Sequence, residues 1–259
     1  MEDILQLKDK HIVVMGVANE RSLAWGVAKS LAKAGARLTF TYRKERSYQK
    51  LNKLLEKSEI TAEHIVVCDI NEDESIKDAF AEIHEKAGTI HGVVHSIAFA
   101  HGEDLKGDFV HTSRSGYAFA QDTSAYSLIA VAREAKPYLA EGASIITMSA
   151  LGGERTLEGY KVMGVAKAAL ESSVRYLALD LGADGIRVNT ISAGPIRTLA
   201  AKGIPSFNQM LHDIESRAPL KRNVTQEEVG DMATVMLSPL SRGVTGETVH
   251  VDAGYNIMA

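Results

Sequence analysis

The stretch SIITMSALGGERTLEGYKVMGVAKAAL, residues 144–170, joins a strand-like run to a long helix. Ile145-Ile146-Thr147-Met148 is short, apolar and β-branched, the composition of a buried strand, and Leu151-Gly152-Gly153 interrupts it. From about Gly159 onward, Val162, Val165, Ala166, Ala169, Leu170 and Val174 recur at helical spacing. Tyr160 and Lys167 lie about two turns apart on that helix, so both side chains can face the same way. An ammonium beside a phenol favours the phenolate and lowers its pKa from about 10. The pattern predicts an active site in which the tyrosine donates a proton or a hydrogen bond. The bland alternative is a half-buried aromatic and a solvated lysine.

The residues upstream supply the context for that pair. His11-Ile-Val-Val-Met-Gly16 reads as a strand ending in glycine, and Ser22 to Gly35 as a helix with Ser22 at its N-cap and Gly35 just past its end. Further strands are expected at 37–42, 65–68 and 92–97, separated by helices at 44–57 and 71–86. A helix at 124–138, strands at 187–192 and 248–251, and a helix to about Leu237 behind the capping box Thr225/Glu228 complete the pattern. Strands alternating with helices predict a single-domain, doubly wound, Rossmann-like parallel sheet of about seven strands with helices on both faces. Residues 194–219, broken by Pro195, Gly203, Pro205 and Pro219, read as an insertion, with a short helix at 208–216 and the expected role of a substrate lid.

At 259 residues, 45% hydrophobic and 24% charged, the chain can bury a full core as one domain over 1–259. A net charge of −4 provides no basic field for nucleic acid. The single cysteine, Cys68, sits in an apolar run and reads as a core residue in a reducing compartment. No signal-peptide pattern or membrane-length apolar run is present. The expectation is a cytoplasmic protein acting without membrane, nucleic acid or metal.

GVANERSLAWG, residues 16–26, lies between the first strand and helix, where a pyrophosphate would meet the helix N-terminus. It lacks the GxGxxG pattern, and alone it equally suits a plain strand-to-helix turn. After the second strand, dinucleotide folds place an acid against the ribose hydroxyls or cations against a 2′-phosphate. Here Arg43 and Lys44 follow Tyr42. Cations in a helix's first turn oppose its dipole, so they point to NADPH, with NADH the second choice. Asp69, at the end of the third strand, suits either the adenine amine or a helix cap.

Taken together, MGVANERSLAWG, HSIAFA (95–100), YKVMGVAK (160–167), ISAGPIRTLAAKG (191–203), RAPLKR (217–222) and GVTGETVHVDAGY (243–255) resemble the bacterial NAD(P)H-dependent enoyl-acyl carrier protein reductases. These are divergent short-chain dehydrogenase/reductases, set apart by a GxxxxxSxxxG loop and a Tyr-x6-Lys pair. The TYRKERS stretch (41–47) resembles their NADPH-preferring members. The resemblance implies reduction of trans-2-enoyl thioesters on acyl carrier protein in type II fatty acid synthesis, by a homotetramer. Small residues on the Tyr160 helix (Ala166, Ala168, Ala169, Ser172, Ser173) also favour close helix association. The resemblance assigns Gly16, Ser22 and Leu23 to the pyrophosphate, Arg43 and Lys44 to the 2′-phosphate, and Asp69 and Ile70 to the adenine. Ser96, Ile97 and Ala98 would line the cofactor, Ala100 and Tyr160 would meet substrate, and Lys167 would hold the nicotinamide ribose. Ile196, Arg197, Thr198, Leu199 and Ala200 would touch the nicotinamide end. Tyr160 would be the catalytic tyrosine, supported by Lys167.

The chain departs from the family pattern at Ala150, where a second tyrosine is expected, and at Gly159 and Lys161, where asparagine is common. The loss at Ala150 leaves two alternatives: a short-chain reductase acting on a carbonyl or another activated alkene, or a weakly active or non-catalytic NADPH-binding homologue.

Overall fold

Parallel sheets covered by helices on both faces need strands apolar on both sides, and β1, His11–Met15, meets this requirement residue by residue. Val13 and Met15 enter one apolar cluster and Ile12 and Val14 the other. The computed structural model describes residues 4–198 and 207–258. Within them β1 is joined by β2 (Arg37–Tyr42), β3 (Ala62–Val67), β4 (Ile90–His95), β5 (Leu139–Ser149), β6 (Arg187–Ala193) and β7 (Thr248–Val251). The order is β3-β2-β1-β4-β5-β6-β7, and every neighbouring pair is parallel. The chain builds outward from β1 to β3 and then returns to β4 on the other side. That reversal opens a crevice at the carboxyl ends of β1 and β4, where such folds bind ligands.

Helices α1 (Leu23–Lys33), α2 (Glu45–Glu56) and α8 (Gln226–Leu237) cover one face. Helices α3 (Asp73–Ala87), α5 (Ser127–Ala135) and α6 (Lys161–Gly182) cover the other. α4 is Arg114–Gln121 and α7 is Phe207–Arg217. The expected capping box is present: the Thr225 hydroxyl accepts from the Glu228 amide, and the Glu228 carboxylate accepts from the Thr225 amide. α8 seats directly on α1, where the two helices meet at Gly26 and Gly230. A β-carbon on Gly230 would lie 2.5 Å from the Gly26 carbonyl oxygen. Gln226 Nε2 donates to the Ser22 carbonyl at 2.6 Å and to the Glu20 carbonyl at 3.0 Å.

Four expectations change. β4 is Ile90–His95 rather than 92–97, so Ser96 and Ile97 lie in the loop beyond it. β3 begins at Ala62 rather than at 65, because an edge strand half-open to solvent need not be apolar throughout. β5 starts at Leu139, its first four residues being polar or only partly covered. The helix expected at 124–138 is α5 alone. It is preceded by α4 and by a wide π turn, Asp122–Tyr126, which runs on from α4 into α5. α4 buries only Gly116 and Ala120, so it lacks an apolar stripe that periodicity could detect.

Candidate active site

The carboxyl edge of the sheet collects almost every residue singled out above. Gly16 follows β1, Arg43 and Lys44 follow β2, and Asp69 and Ile70 lie just beyond β3. Ser96 to Ala98 and Ala100 follow β4, Ala150 follows β5, and Ile196, Arg197 and Thr198 follow β6. Leu199 and Ala200 lie outside the described residues, as does the middle of the expected 194–219 lid. The part of that insertion that is described contains α7.

Gly16 adopts φ +94°, and a β-carbon there would be 2.0 Å from the Ser96 carbonyl oxygen. Only glycine allows this turn so close to the end of β4. Ser22 is at the N-cap of α1 as expected, but its side chain does not cap the helix. Its Oγ instead accepts from the amides of Ala18 and Asn19, each at 3.0 Å. Both lone pairs are thereby used while the hydroxyl proton remains available to donate. No acidic residue occupies the first turn of α1. The loop and helix terminus fit the pyrophosphate of a dinucleotide: an uncapped helix start, a hydroxyl donor and no acid in the helix's first turn.

Arg43 Nε donates to Asp69 Oδ2 at 2.7 Å, so the residues assigned to 2′-phosphate and adenine are paired with each other. Ile70 is buried in the core cluster with Cys68 and Ile76. Burial pushes the Cys68 thiol up to about 12, with the Asp69 charge adding to it, as suits an inert core residue. Ile196 packs on the opposite cluster, and Arg197 donates to Asn208 on α7 at 2.6 Å.

Tyr160 stands at the N-cap of α6 and shares a small apolar cluster with Ala98, Ala100, Leu105, Ala120, Val162 and Met163. Ala100 and Tyr160, the expected substrate pair, are therefore neighbours in the fold. Gly159 and Lys161 on either side have φ +76° and +41°, a backbone that asparagine tolerates better than most residues and lysine poorly. The loop Leu151–Gly153 presses on the start of α6. A β-carbon on Gly152 would lie 2.2 Å from Tyr160 Cδ1, and one on Gly153 would lie 2.5 Å from Glu171 Oε1. Ala150, at the head of this loop, is half-buried in an extended conformation.

Lys167 is on the buried face of α6 and donates to the Met148 carbonyl at 2.6 Å. Burial lowers its pKa to about 8, opposed by the nearby Glu171 carboxyl. The expected depression of the tyrosine is not found. Burial, and then the Glu171 charge, push the Tyr160 phenol above its ordinary value, so it stays protonated and acts as a neutral donor. Glu171 itself is raised by burial despite accepting a hydrogen bond from Ser149.

Sequence reasoning missed several supporting residues. Glu171 and Ser149 form the buried polar pair behind Lys167. Glu171 falls one turn after Lys167 on the same face, a spacing that could have revealed it. Ser124 Oγ accepts from the Phe99 amide and donates to its carbonyl, fixing the loop that carries Ala98 and Ala100. His95, fully buried, bonds Thr147 and Ser127 at 2.9 Å each. Burial first, and then the Lys167 charge, lower its pKa to about 3, so it remains a neutral brace between β4, β5 and α5.

A family model described as enoyl-(acyl carrier protein) reductase matches residues 16–256. The chain belongs to that family. The enoyl-acyl carrier protein reductase FabI of Bacillus cereus, named for NADH, is 57% identical over 252 residues, 97% of this chain and 98% of the relative. FabI of Staphylococcus aureus, named for NADPH, is 56% identical over 253 residues, 98% and 99% of the two chains. A crystal structure of the Bacillus cereus enoyl-acyl carrier protein reductase with NADP+ and indole naphthyridinone superposes with a TM-score of 0.95, covering 98% of both chains. The chain is thus an enoyl-acyl carrier protein reductase of the short-chain dehydrogenase/reductase type, using a nicotinamide cofactor. Identity of 57% over nearly the whole length does not favour a carbonyl reductase or a non-catalytic binder. Among the described residues, no helix is long and apolar enough to cross a membrane.

Proposed function

We propose that the chain reduces trans-2-enoyl groups carried on acyl carrier protein with NADPH, using Tyr160 and Lys167. The observation that carries this is the grouping of Tyr160 with Ala98 and Ala100 beside the crevice at the ends of β1 and β4. When bound, a reduced nicotinamide would supply hydride to the β-carbon of the enoyl thioester, and a proton taken up at the α-carbon would complete the reduction. Tyr160, neutral through burial, hydrogen-bonds the thioester oxygen as negative charge develops there, an interaction stronger in the transition state than in the ground state. Lys167, held by the Met148 carbonyl, binds the nicotinamide ribose and contributes positive potential.

Gly16, Ser22 and Leu23 hold the pyrophosphate, Arg43 and Lys44 the 2′-phosphate, and Asp69 and Ile70 the adenine. Ser96, Ile97, Ala98, Ile196, Arg197 and Thr198 line the nicotinamide half. The preference for NADPH rests on Arg43 and Lys44, the two residues that directly follow β2. Self-association, with a tetramer as the expected form, is supported by the exposed apolar residues Tyr176 and Leu179 on α6 and Ile129 on α5. Of the small residues expected to favour association, Ala166 faces inward and does not contribute, whereas Ala168 is exposed and Ala169, Ser172 and Ser173 are half-buried. A cytoplasmic location accords with the one buried, free cysteine.

The test is the oxidation of NADPH and of NADH by the purified protein with a crotonyl thioester. Turnover with NADPH at the higher kcat/KM supports the reading, whereas no thioester-dependent oxidation of either cofactor would end it.

A further inference from the structure

We infer that Asp69 is a selectivity residue that restrains Arg43, making the site permissive to NADH as well as NADPH. This rests on the proposed role of Arg43 toward the 2′-phosphate. β2 and β3 run side by side to Tyr42 and Val67, and the Cys68 amide donates to the Tyr42 carbonyl, so residues 43 and 69 emerge as neighbours. Asp69 is fixed from its own side. Its Oδ1 accepts from the Asn71 amide at 3.2 Å, and its amide donates to Ser75 Oγ at 2.9 Å. That anchoring presents Oδ2 to Arg43 Nε at 2.7 Å, leaving the two terminal guanidinium nitrogens out of this bond.

The carboxylate has two effects. It offsets part of the charge that a 2′-phosphate would meet, which lowers the gain from NADPH. It also gives the guanidinium a partner when the cofactor has no 2′-phosphate, so Arg43 keeps its ion pair when NADH binds. The pair is open to water, with Arg43 50% and Asp69 23% exposed at their side chains. Such pairs are weak and readily exchanged for a phosphate. The design therefore tunes selectivity and does not abolish either mode, in accord with close relatives being named for NADH in one case and NADPH in another.

The test measures dissociation constants for NADPH and NADH by cofactor fluorescence on Asp69→Asn, Arg43→Gln and the double variant. Taking the ratio of the two constants cancels any adenine contact, which both cofactors share. Asparagine keeps the acceptor for the Asn71 amide, and Asp69→Ser serves as a second variant if Asp69→Asn melts early. The expected result is a preference for NADPH that rises about two- to fivefold in Asp69→Asn and falls in Arg43→Gln. In the Arg43→Gln background, Asp69→Asn should have no effect on the ratio. An unchanged or lowered preference in Asp69→Asn, with Arg43→Gln still lowering it, overturns the restraint and leaves the NADPH reading standing. An equal rise in both backgrounds shows a long-range charge effect and also overturns it. An unchanged ratio in Arg43→Gln removes the NADPH reading and this inference together.

Discussion

Gly152 stands so close to Tyr160 that a β-carbon on the glycine would sit 2.2 Å from Cδ1 and 2.7 Å from Cε1 of the ring. The glycine therefore sets the position of the tyrosine as firmly as the helix that carries it. Gly152→Ala must displace the ring, and misplacement by about 1 Å can cost roughly a hundredfold in rate. The expected outcome is a ten- to hundredfold fall in kcat with cofactor affinity little changed. Steady-state kinetics alongside a cofactor titration would check it, and wild-type kcat would show that the ring position is unimportant.

Tyr160→Phe keeps the ring and its contacts but removes the hydroxyl. The loss of one donor aimed at developing charge predicts a drop in kcat of roughly a hundredfold or more. The melting temperature should barely move, since the apolar cluster around the ring is retained. A kcat within twofold of wild type would take Tyr160 out of the chemistry.

Ala150 leaves the position of the second family tyrosine without a phenol, in an extended conformation that any residue accepts. Ala150→Tyr should raise kcat/KM about two- to tenfold, the value of one neutral hydrogen bond of roughly 0.5 to 1.5 kcal/mol. A gain of several orders of magnitude would instead make this position the principal catalytic one.

Lys167 titrates at about 8, below its free value, because burial disfavours its charge. The charged form is therefore lost as pH rises through about 8. Affinity for NADPH should weaken above that pH by up to about tenfold per unit. Lys167→Arg, charged throughout, should bind with no such slope between pH 7 and 9.5. Identical slopes in both proteins would rule out Lys167 as the titrating group.

His95 gives a prediction for stability. Its folded pKa, lowered to about 3, lies below an unfolded value of about 6.5, so the unfolded chain takes up the proton first. The stability it contributes is present above about pH 6.5 and declines as pH falls toward 3, at up to about 1.4 kcal/mol per unit. His95→Asn should be less stable at pH 7, yet lose less stability on acidification, by about one proton in the slope. Urea unfolding at pH 6.5, 5.5 and 4.5 measures this, and parallel slopes would contradict it.

The elements with local sequence marks were the most legible. β1 announces itself through the apolar run from Ile12 to Met15, β2, β6 and β7 through β-branched and aromatic residues between polar ones, α8 through a capping box and α1 through a helix-ending glycine. The Tyr160–Lys167 pair could be located by its helical spacing together with the strand and glycine break before it, whereas Leu105 and Ala120 beside the ring could not. The direction of the Tyr160 pKa shift could not be read, because the sequence shows a lysine at helical distance and conceals how far the phenol is desolvated. α4 and the π turn were missed because their packing uses glycine, alanine and small hydroxyls, which carry no hydrophobic period. The Arg43–Asp69 pair joins neighbouring strands, a relationship that only the sheet order reveals.

The seating of α8 on α1 bears on how the protein comes into being. Gln226 ties down the carbonyls of Glu20 and Ser22, more than two hundred residues earlier in the chain. During synthesis, β1 and α1 leave the ribosome long before the helix that braces their turn exists, and contacts of such long range close late and slowly. The site is completed only when the last quarter of the polypeptide docks, so chains truncated before α8 lack both the brace and the cover over Trp25 and Leu31.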